Sequence, residues 1–165
     1  MSEPLVFTRR SKLAEASRYR LTLAFDQRQK SRLHVTLDSG EEAFLRLDRG
    51  PVLRGGDTLE TEAGERLLVV AAAEALSVIR SLDVLSLTRA AYHLGNRHVA
   101  LQIRGGELSY LQDNVLDVMV TSLGFQVHHE TGPFEPESGA YGHSHGGAAG
   151  SPGHGLFRSP PHSHH

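Results

Sequence analysis

Histidine is the residue type whose number and spacing in this chain most clearly suggest chemistry. The 165 residues include 11 histidines, and six of them lie in the last 23 positions. Most of the residues between these six are glycine, serine, alanine and proline, which cannot build a hydrophobic core. Neutral imidazole binds Zn, Cu and Ni well, so the segment predicts binding of a first-row transition metal. The six are His143, His145, His154, His162, His164 and His165.

Two simpler interpretations of this segment are a purification tag and a histidine-containing linker without function. Ser163 interrupts the last run of histidines, and Gly142-His143-Ser144-His145 lies well upstream of it, which argues against a tag. The linker stays open as an alternative to metal binding.

Composition narrows the classes of protein to which the chain could belong. The formal net charge is −2, whereas nucleic-acid-binding proteins usually carry a basic surface. The chain has no cysteine, so a metal would be held by imidazole, carboxylate or water. No stretch approaches about 18 apolar residues, and the N-terminus lacks an apolar signal region. We therefore expect a cytoplasmic protein that binds neither nucleic acid nor membrane.

Residues 1–73 are predicted to form a small all-β domain that binds a partner or peptide. Apolar residues alternate with polar or small ones over residues 21–25 and 33–37, and strands are also predicted at 44–47 and 67–70. Turn-forming residues such as Asp38-Ser39-Gly40 separate these strands. The basic stretch that contains Arg28, Lys30 and Arg32 is interpreted as a solvated loop.

Residues 74–138 show helical periodicity between short strands. After a strand at 74–80, a helix is predicted to open near Ser81 or Asp83 and to end at Gly95. Strands follow at 99–103 and 108–111. A second helix is predicted from its cap Asp113 to Gly124, and a last strand covers 125–129. The apolar helix positions are Val84, Leu87, Ala91 and Leu94 in the first helix, and Val115, Val118 and Met119 in the second.

The order β-α-β-β-α-β is the ferredoxin-like arrangement, in which helices cover one face of a sheet and leave the other available. The predicted fold class is therefore α+β, with an N-terminal β domain, a ferredoxin-like metal-binding and dimerisation domain, and a disordered tail at 139–165. We expect the tail near His143 and His145 to become ordered when metal binds, because its composition offers almost no apolar surface to bury.

His98 is the histidine outside the tail that most resembles a ligand. If Val99, Leu101 and Ile103 face the helices, strand alternation places His98 on the open face of the sheet. A two-fold axis beside this strand would bring two copies of His98 together. An exposed surface histidine without function is the open alternative. His34, His93, His128 and His129 are weaker candidates.

Several motifs resemble those of the UreE family of urease accessory proteins, and besides the stretch from Arg49-Gly50 to Gly56-Asp57 there are three groups. One is Tyr92-His93-Leu94-Gly95-Asn96-Arg97-His98-Val99, and another is Gln27-Arg28-Gln29-Lys30-Ser31-Arg32. The third is Pro133-Phe134-Glu135-Pro136-Glu137, followed by Gly139-Ala140-Tyr141. The resemblance covers essentially the whole chain.

This resemblance implies a dimeric nickel metallochaperone that binds Ni(II) as cargo and delivers it for assembly of the urease active site. The family's metal site lies at the dimer interface, and its ligands match His98, His143 and His145 here. Its partners are the urease accessory GTPase and the urease apoprotein complex. Zn(II) or Cu(II) should compete for such nitrogen ligands. Gln112-Asp113-Asn114 replaces the extra histidines of some members, so we expect no peripheral metal site there.

An enzyme and a metal-storage protein are the rival functions. The chain has no His-Glu-x-x-His, Gly-x-Ser-x-Gly or Walker-type motif, so we expect no catalytic activity. A general protein for storing or sequestering transition metals remains the alternative. Storage would depend on the tail for nearly all of its capacity, whereas a chaperone would keep a tighter site at the dimer core.

Overall fold

The computed structural model describes residues 3–13 and 17–139. Within these residues, ten strands and three helices form two sheets with their associated helices. The expectations for the tail, including its disorder and the roles of His143 and His145, lie outside the described residues. None of the described helices is both long enough and apolar enough to cross a bilayer.

The first sheet has six strands in the order β2-β6-β5-β1-β4-β3. The pairs β1–β4 and β2–β6 are parallel, and the other neighbours are antiparallel. Its core is almost entirely aliphatic and includes Phe7, Leu21, Leu45, Leu59 and Leu67. An all-β unit in the first half is therefore confirmed. The strands are β1 (Leu5–Ser11), β2 (Tyr19–Leu23), β3 (Arg32–Thr36), β4 (Glu42–Arg46), β5 (Thr58–Thr61) and β6 (Arg66–Ala71).

Two features of this unit differ from the expectation. Strands β1 and β5 were not predicted, and Phe25 begins the short helix α1 (Phe25–Arg28) instead of extending β2. The interpretation of the basic stretch as a solvated loop is wrong for Arg28, which is only 1% exposed. Backbone carbonyls and a carboxylate surround its guanidinium group, and sequence alone does not reveal such partners.

The second sheet has the order β10-β7-β9-β8, with every neighbouring pair antiparallel. Together with two helices this gives β-α-β-β-α-β, so the ferredoxin-like arrangement is confirmed. Asp83 and Asp113 cap the helices by accepting hydrogen bonds from backbone N–H groups of the first turn. The elements are β7 (Ala73–Arg80), α2 (Val84–Asn96), β8 (Gln102–Arg104), β9 (Glu107–Leu111), α3 (Asn114–Ser122) and β10 (His128–Pro133).

The buried faces of the helices agree with the predicted ones in part. Among the predicted positions, Leu94 is fully buried, and three others pack partly buried against the same core: Leu87, Ala91 and Met119. The remaining predicted positions do not cover the sheet, since Val84, Val115 and Val118 are 75%, 65% and 71% exposed. Ala90 and Val120, which the spacing did not single out, are buried. Apolar spacing alone does not fix where the buried face is centred, and packing shifts it toward these two residues.

The face of the second sheet away from the helices is partly covered. Leu76 and Val78 of β7 are buried against Phe134, which follows β10 and is fully buried. Phe25 of α1 packs on the same cluster, with its ring edge-to-face against Phe134 at 5.5 Å. The expectation that this face is left available is therefore wrong along β7. The segment after β10 is held between the two sheet units.

Candidate metal centre

His98 lies just beyond the C-terminal end of α2, in a conformation that is unusual for its residue type. The helix ends at Asn96, and His98 has φ 57°, the only positive φ among described residues other than glycine. The N–H of His98 donates to the carbonyl of Gly95 at 3.0 Å, and the N–H of Val99 donates to that of Leu94 at 3.4 Å. These two hydrogen bonds form a Schellman motif, in which the left-handed residue is usually glycine.

The strand argument for the position of His98 is therefore wrong, although the residue is exposed as expected. Strand β8 begins at Gln102, so strand alternation does not apply to His98. Gln102 is buried and Ile103 is half-exposed, the reverse of the predicted alternation for these two residues. Gly95 does not end the helix either, because it lies inside α2.

This position gives His98 two physical properties. A residue with a Cβ pays about 1 kcal/mol or more for the left-handed conformation, a cost that glycine avoids. The last carbonyls of a helix carry partial negative charge, which favours a cation beside them. The exposed His98 thus follows directly on the helix end at which a positive ion is electrostatically favoured.

The chain segment that leads to the tail runs beside the strand that follows His98. The N–H of Glu135 donates to Oε1 of Gln102 at 2.7 Å, and the N–H of Glu137 donates to the carbonyl of Leu101 at 2.8 Å. Glu135 thus pairs with Gln102, and the later residue Glu137 pairs with the earlier residue Leu101. The segment therefore runs antiparallel to this stretch, in the direction of His98. Its last described residue is Gly139.

Arg28 joins this segment to the first sheet unit. Its Nε donates to the carbonyl of Leu23 at 3.2 Å, and its guanidinium also donates to the carbonyl of Leu53 at 3.0 Å. The same group donates to the carbonyl of Phe134 and to the carboxylate of Glu135. Two blocks of the resemblance, 107 positions apart, are therefore in direct contact. Sequence reasoning missed this contact, and the only signal was the joint presence of the two blocks.

Two other histidines are engaged by carboxylates. His34 of β3 is exposed, pairs with Glu42 and stacks on the ring of Phe44 at 4.6 Å. Nε2 of His129 lies 2.7 Å from Oδ2 of Asp117 on α3, which attaches β10 to that helix. His93 packs edge-on against Tyr92, and His128 is exposed on β10.

Asp117 also accepts a hydrogen bond from the hydroxyl of Tyr110 at 2.7 Å. Burial raises the pKa of Tyr110, and the hydrogen bond to Asp117 raises it further. Burial opposes ionisation of Asp117, but polar interactions with Ser77, His129 and Tyr110 outweigh it and lower the pKa of the carboxyl. An ionised Asp117 thus stabilises the attachment of β10 to α3.

The described residues contain no group of three or more histidine or carboxylate side chains that could hold a metal ion by itself. His98 is therefore at most one member of a ligand set. Glu135 is occupied by Arg28, and Asp113 by the N-terminus of α3. These contacts make both carboxylates poor candidates for further ligands.

Comparison with known proteins agrees with this two-part architecture. Residues 7–72 match the family described as UreE urease accessory protein, N-terminal domain. Residues 74–165 match UreE urease accessory protein, C-terminal domain. Together the two matches cover nearly the whole chain.

Individual relatives give the same result. The urease accessory protein UreE of Pseudomonas putida strain W619 is 50% identical over 160 residues, which cover 96% of this chain and 99% of the relative. The protein of the same name from Alkalilimnicola ehrlichii is 51% identical over 138 residues, 84% of this chain and 85% of the relative. The fold and these likenesses define an accessory protein, not an enzyme. The chain belongs to the UreE family of urease accessory proteins.

Proposed function

We propose that this protein is a nickel metallochaperone that takes part in urease maturation in the cytoplasm. It binds Ni(II) as cargo between two copies of the chain and delivers it to the urease apoprotein complex through the urease accessory GTPase. Membership of the UreE family supports the link to urease. The single observation that carries the metal-binding part is the exposed His98, held left-handed at the C-terminal end of α2.

The proposed ligand set is His98 from both copies, completed by His143 and His145. A two-fold interface brings the same patch of each subunit together, so one metal ion can contact both His98 side chains. Two imidazoles leave open coordination positions on Ni(II). The carbonyl end of α2 favours the cation electrostatically.

The position of the segment before the tail supports the participation of His143 and His145. Leu101, which bonds to Glu137, lies within about 11 Å of His98 along the chain. From Gly139, an extended chain of four or six residues reaches about 14 or 21 Å, enough for His143 and His145 to approach His98. A short tether of this kind gives a high effective concentration of ligand. The other tail histidines are farther along the chain and exchange ions with solvent or with a partner.

The ligands do not select nickel by themselves. Nitrogen sites bind Cu(II) at least as tightly as Ni(II), and Zn(II) competes for them. Nickel as the cargo thus follows from the link to urease and from the metal available in the cell.

The test is isothermal titration of nickel into the full chain, the His98→Ala variant and a chain that ends at Tyr141. His129→Ala is the matched control, because that histidine is bound by Asp117. We expect one tight ion per two chains, which His98→Ala removes and truncation weakens. The control should behave like the unmutated protein.

Two results would contradict the proposal. Tight nickel binding that persists in His98→Ala would exclude His98 as the shared ligand. Many equivalent ions, nearly all lost on truncation, would favour the storage function instead. Transfer is checked separately by adding the nickel-loaded protein to urease apoprotein with its accessory GTPase and measuring urease activation.

A further inference from the structure

Arg28 makes an unusual set of contacts for a charged side chain. It is the largest fully buried side chain among the described residues, and it donates to acceptors from three separate parts of the chain. A guanidinium group presents its donors in a rigid plane, so these contacts fix the relative positions of their acceptors closely.

Additional contacts hold the segment that follows β10 from both sides. On the side of the first sheet, the N–H of Gly55 donates to Glu135 at 3.4 Å and Arg54 donates to Oγ of Ser138 at 3.2 Å. On the side of the second sheet, Gln102 and Leu101 accept the hydrogen bonds of Glu135 and Glu137 described above. Residues 134–138, which we call the tail root, therefore lie between the two units.

We propose that Arg28 is a positioning residue for the tail histidines, because it fixes the direction in which the tail root leaves the molecule relative to His98. This inference rests on the proposed function, in which His143 and His145 complete the metal site. The effective concentration of a tethered ligand depends on where the tether begins, so moving the root lowers it.

Arg28 is buried and its partner Glu135 is partly exposed. An ion pair that buries a charge is a poor way to gain stability, because the lost hydration of the buried charge offsets most of the attraction. Its best-established use is to select one arrangement among several that apolar contacts would tolerate. The pair between Arg28 and Glu135 suits that use. It joins an element of the first unit to a segment that contacts the second unit, and apolar packing of Phe134 alone would allow small shifts of the root.

The first experiment measures the geometry without metal. The chain has no cysteine, and a Cβ at Gly139 would meet no atom within 4 Å, so Gly139→Cys can carry a nitroxide label on the full chain. Paramagnetic broadening of the amide signals of His98 and Val99 then reports the proximity of the root. Glu135→Ala should clearly reduce the broadening and Glu135→Gln should reduce it less, since glutamine keeps an acceptor for Arg28.

The matched control is Glu60→Ala, which removes a carboxylate paired with Arg9 inside the first sheet unit. It should leave the broadening unchanged. Both Glu135 variants keep Arg28, so the test avoids a substitution of the buried residue that could unfold the chain. Broadening in Glu135→Ala equal to that of the unmutated protein would overturn the inference.

The second experiment measures the consequence for metal binding. Nickel affinity is compared between the full chain and the chain ending at Tyr141, with and without Glu135→Ala. In the unmutated background we expect truncation to weaken binding by about 100-fold, the lower range for tethered ligands. With Glu135→Ala, truncation should weaken binding by only about tenfold, and the affinity of the truncated chain itself should stay unchanged.

The outcomes separate the two proposals. If the unmutated full chain and the unmutated truncated chain bind nickel with equal affinity, the proposed ligand set is overturned, whatever the paramagnetic broadening shows. A large loss of affinity on truncation that Glu135→Ala leaves unchanged would overturn only the positioning role of Arg28, because a purely structural pair would not couple to the tail.

Discussion

Helices α2 and α3 end with the same hydrogen-bonding pattern but with different residues at the left-handed position. At the end of α3, Gly124 has φ 97°, and its N–H and that of Phe125 donate to Thr121 and Val120 at 3.0 and 3.4 Å. At the end of α2 the same pair of bonds is made with His98 in place of the glycine.

The difference separates a helix end that is optimised for stability from one that keeps a side chain for a proposed function. Glycine at this position avoids the steric cost of a Cβ, and α3 uses it. The end of α2 keeps a side chain at a cost of about 1 kcal/mol. Such strain is commonly found at binding sites, where the surrounding structure holds the residue in place. The contrast supports a ligand role for His98 and a structural role for Gly124.

The largest expected effect is the pH dependence of nickel affinity at the C-terminal end of α2. Imidazole must be neutral to bind a metal, and its ordinary pKa is about 6.5. Each imidazole ligand should contribute about a tenfold loss of nickel affinity between about pH 7.5 and 5.5, so the two copies of His98 alone account for about 100-fold and the tail histidines add to this. Titration calorimetry across this range checks the prediction. A flat profile would indicate carboxylate ligands such as Glu137, since Glu135 is held by Arg28.

A smaller effect is expected in the first turn of α3, where Asp117 stabilises the fold. The pKa of Asp117 is lowered in the folded protein, so its ionised form stabilises the fold above about pH 4 and that contribution is lost as the pH falls through the folded-state pKa. Asp117→Asn should lower the free energy of unfolding by about 2 kcal/mol at neutral pH. Denaturant unfolding near pH 7 and near pH 3 measures this.

The control for this prediction is nickel affinity, which Asp117→Asn should leave unchanged. An equal loss of stability at both pH values would show that the ionised carboxylate is not the source of the effect. Loss of nickel affinity would show that α3 also contributes to metal binding, against the purely structural role given to it here.

The smallest expected effect is the difference in stability between glycine and alanine at the left-handed position of each helix end. A Cβ at Gly124 would meet no atom within 4 Å, so Gly124→Ala tests conformation alone and should cost about 1 kcal/mol. At the other helix, His98→Gly should be more stable than His98→Ala by the same amount, because the two positions are equivalent. Thermal unfolding of the four proteins checks this. A glycine preference at only one end would show that the two motifs are not equivalent.

Much of the second unit was predictable from its sequence. Asp113 and Gly124 are standard residues for the two ends of a helix, and both were identified correctly for α3. For α2 the same rule placed the end at Gly95, because a histidine in the left-handed position is exceptional. The rule failed at the residue with the proposed function. Local preference is most often overridden at such sites.

Other features depended on contacts that local patterns do not contain. Strand β5 has a single apolar residue, Leu59, and its pairing with β1 and β6 is what makes it a strand. The burial of Arg28 depends on carbonyls and a carboxylate contributed from as far as Glu135. The structure overturns the strand argument for His98 as a ligand, so its proposed role depends on its place at the helix end and on the family resemblance. His143 and His145 stay predictions.

The most direct test of the account is the His98→Gly variant, measured both for stability and for nickel binding. Glycine relieves the left-handed strain and removes the imidazole, so stability should be kept or raised while nickel binding is lost. We predict a free energy of unfolding equal to or up to about 1 kcal/mol above that of the unmutated protein, together with loss of the tightest nickel site. A variant that still binds nickel as tightly as the unmutated chain would contradict the central role of His98.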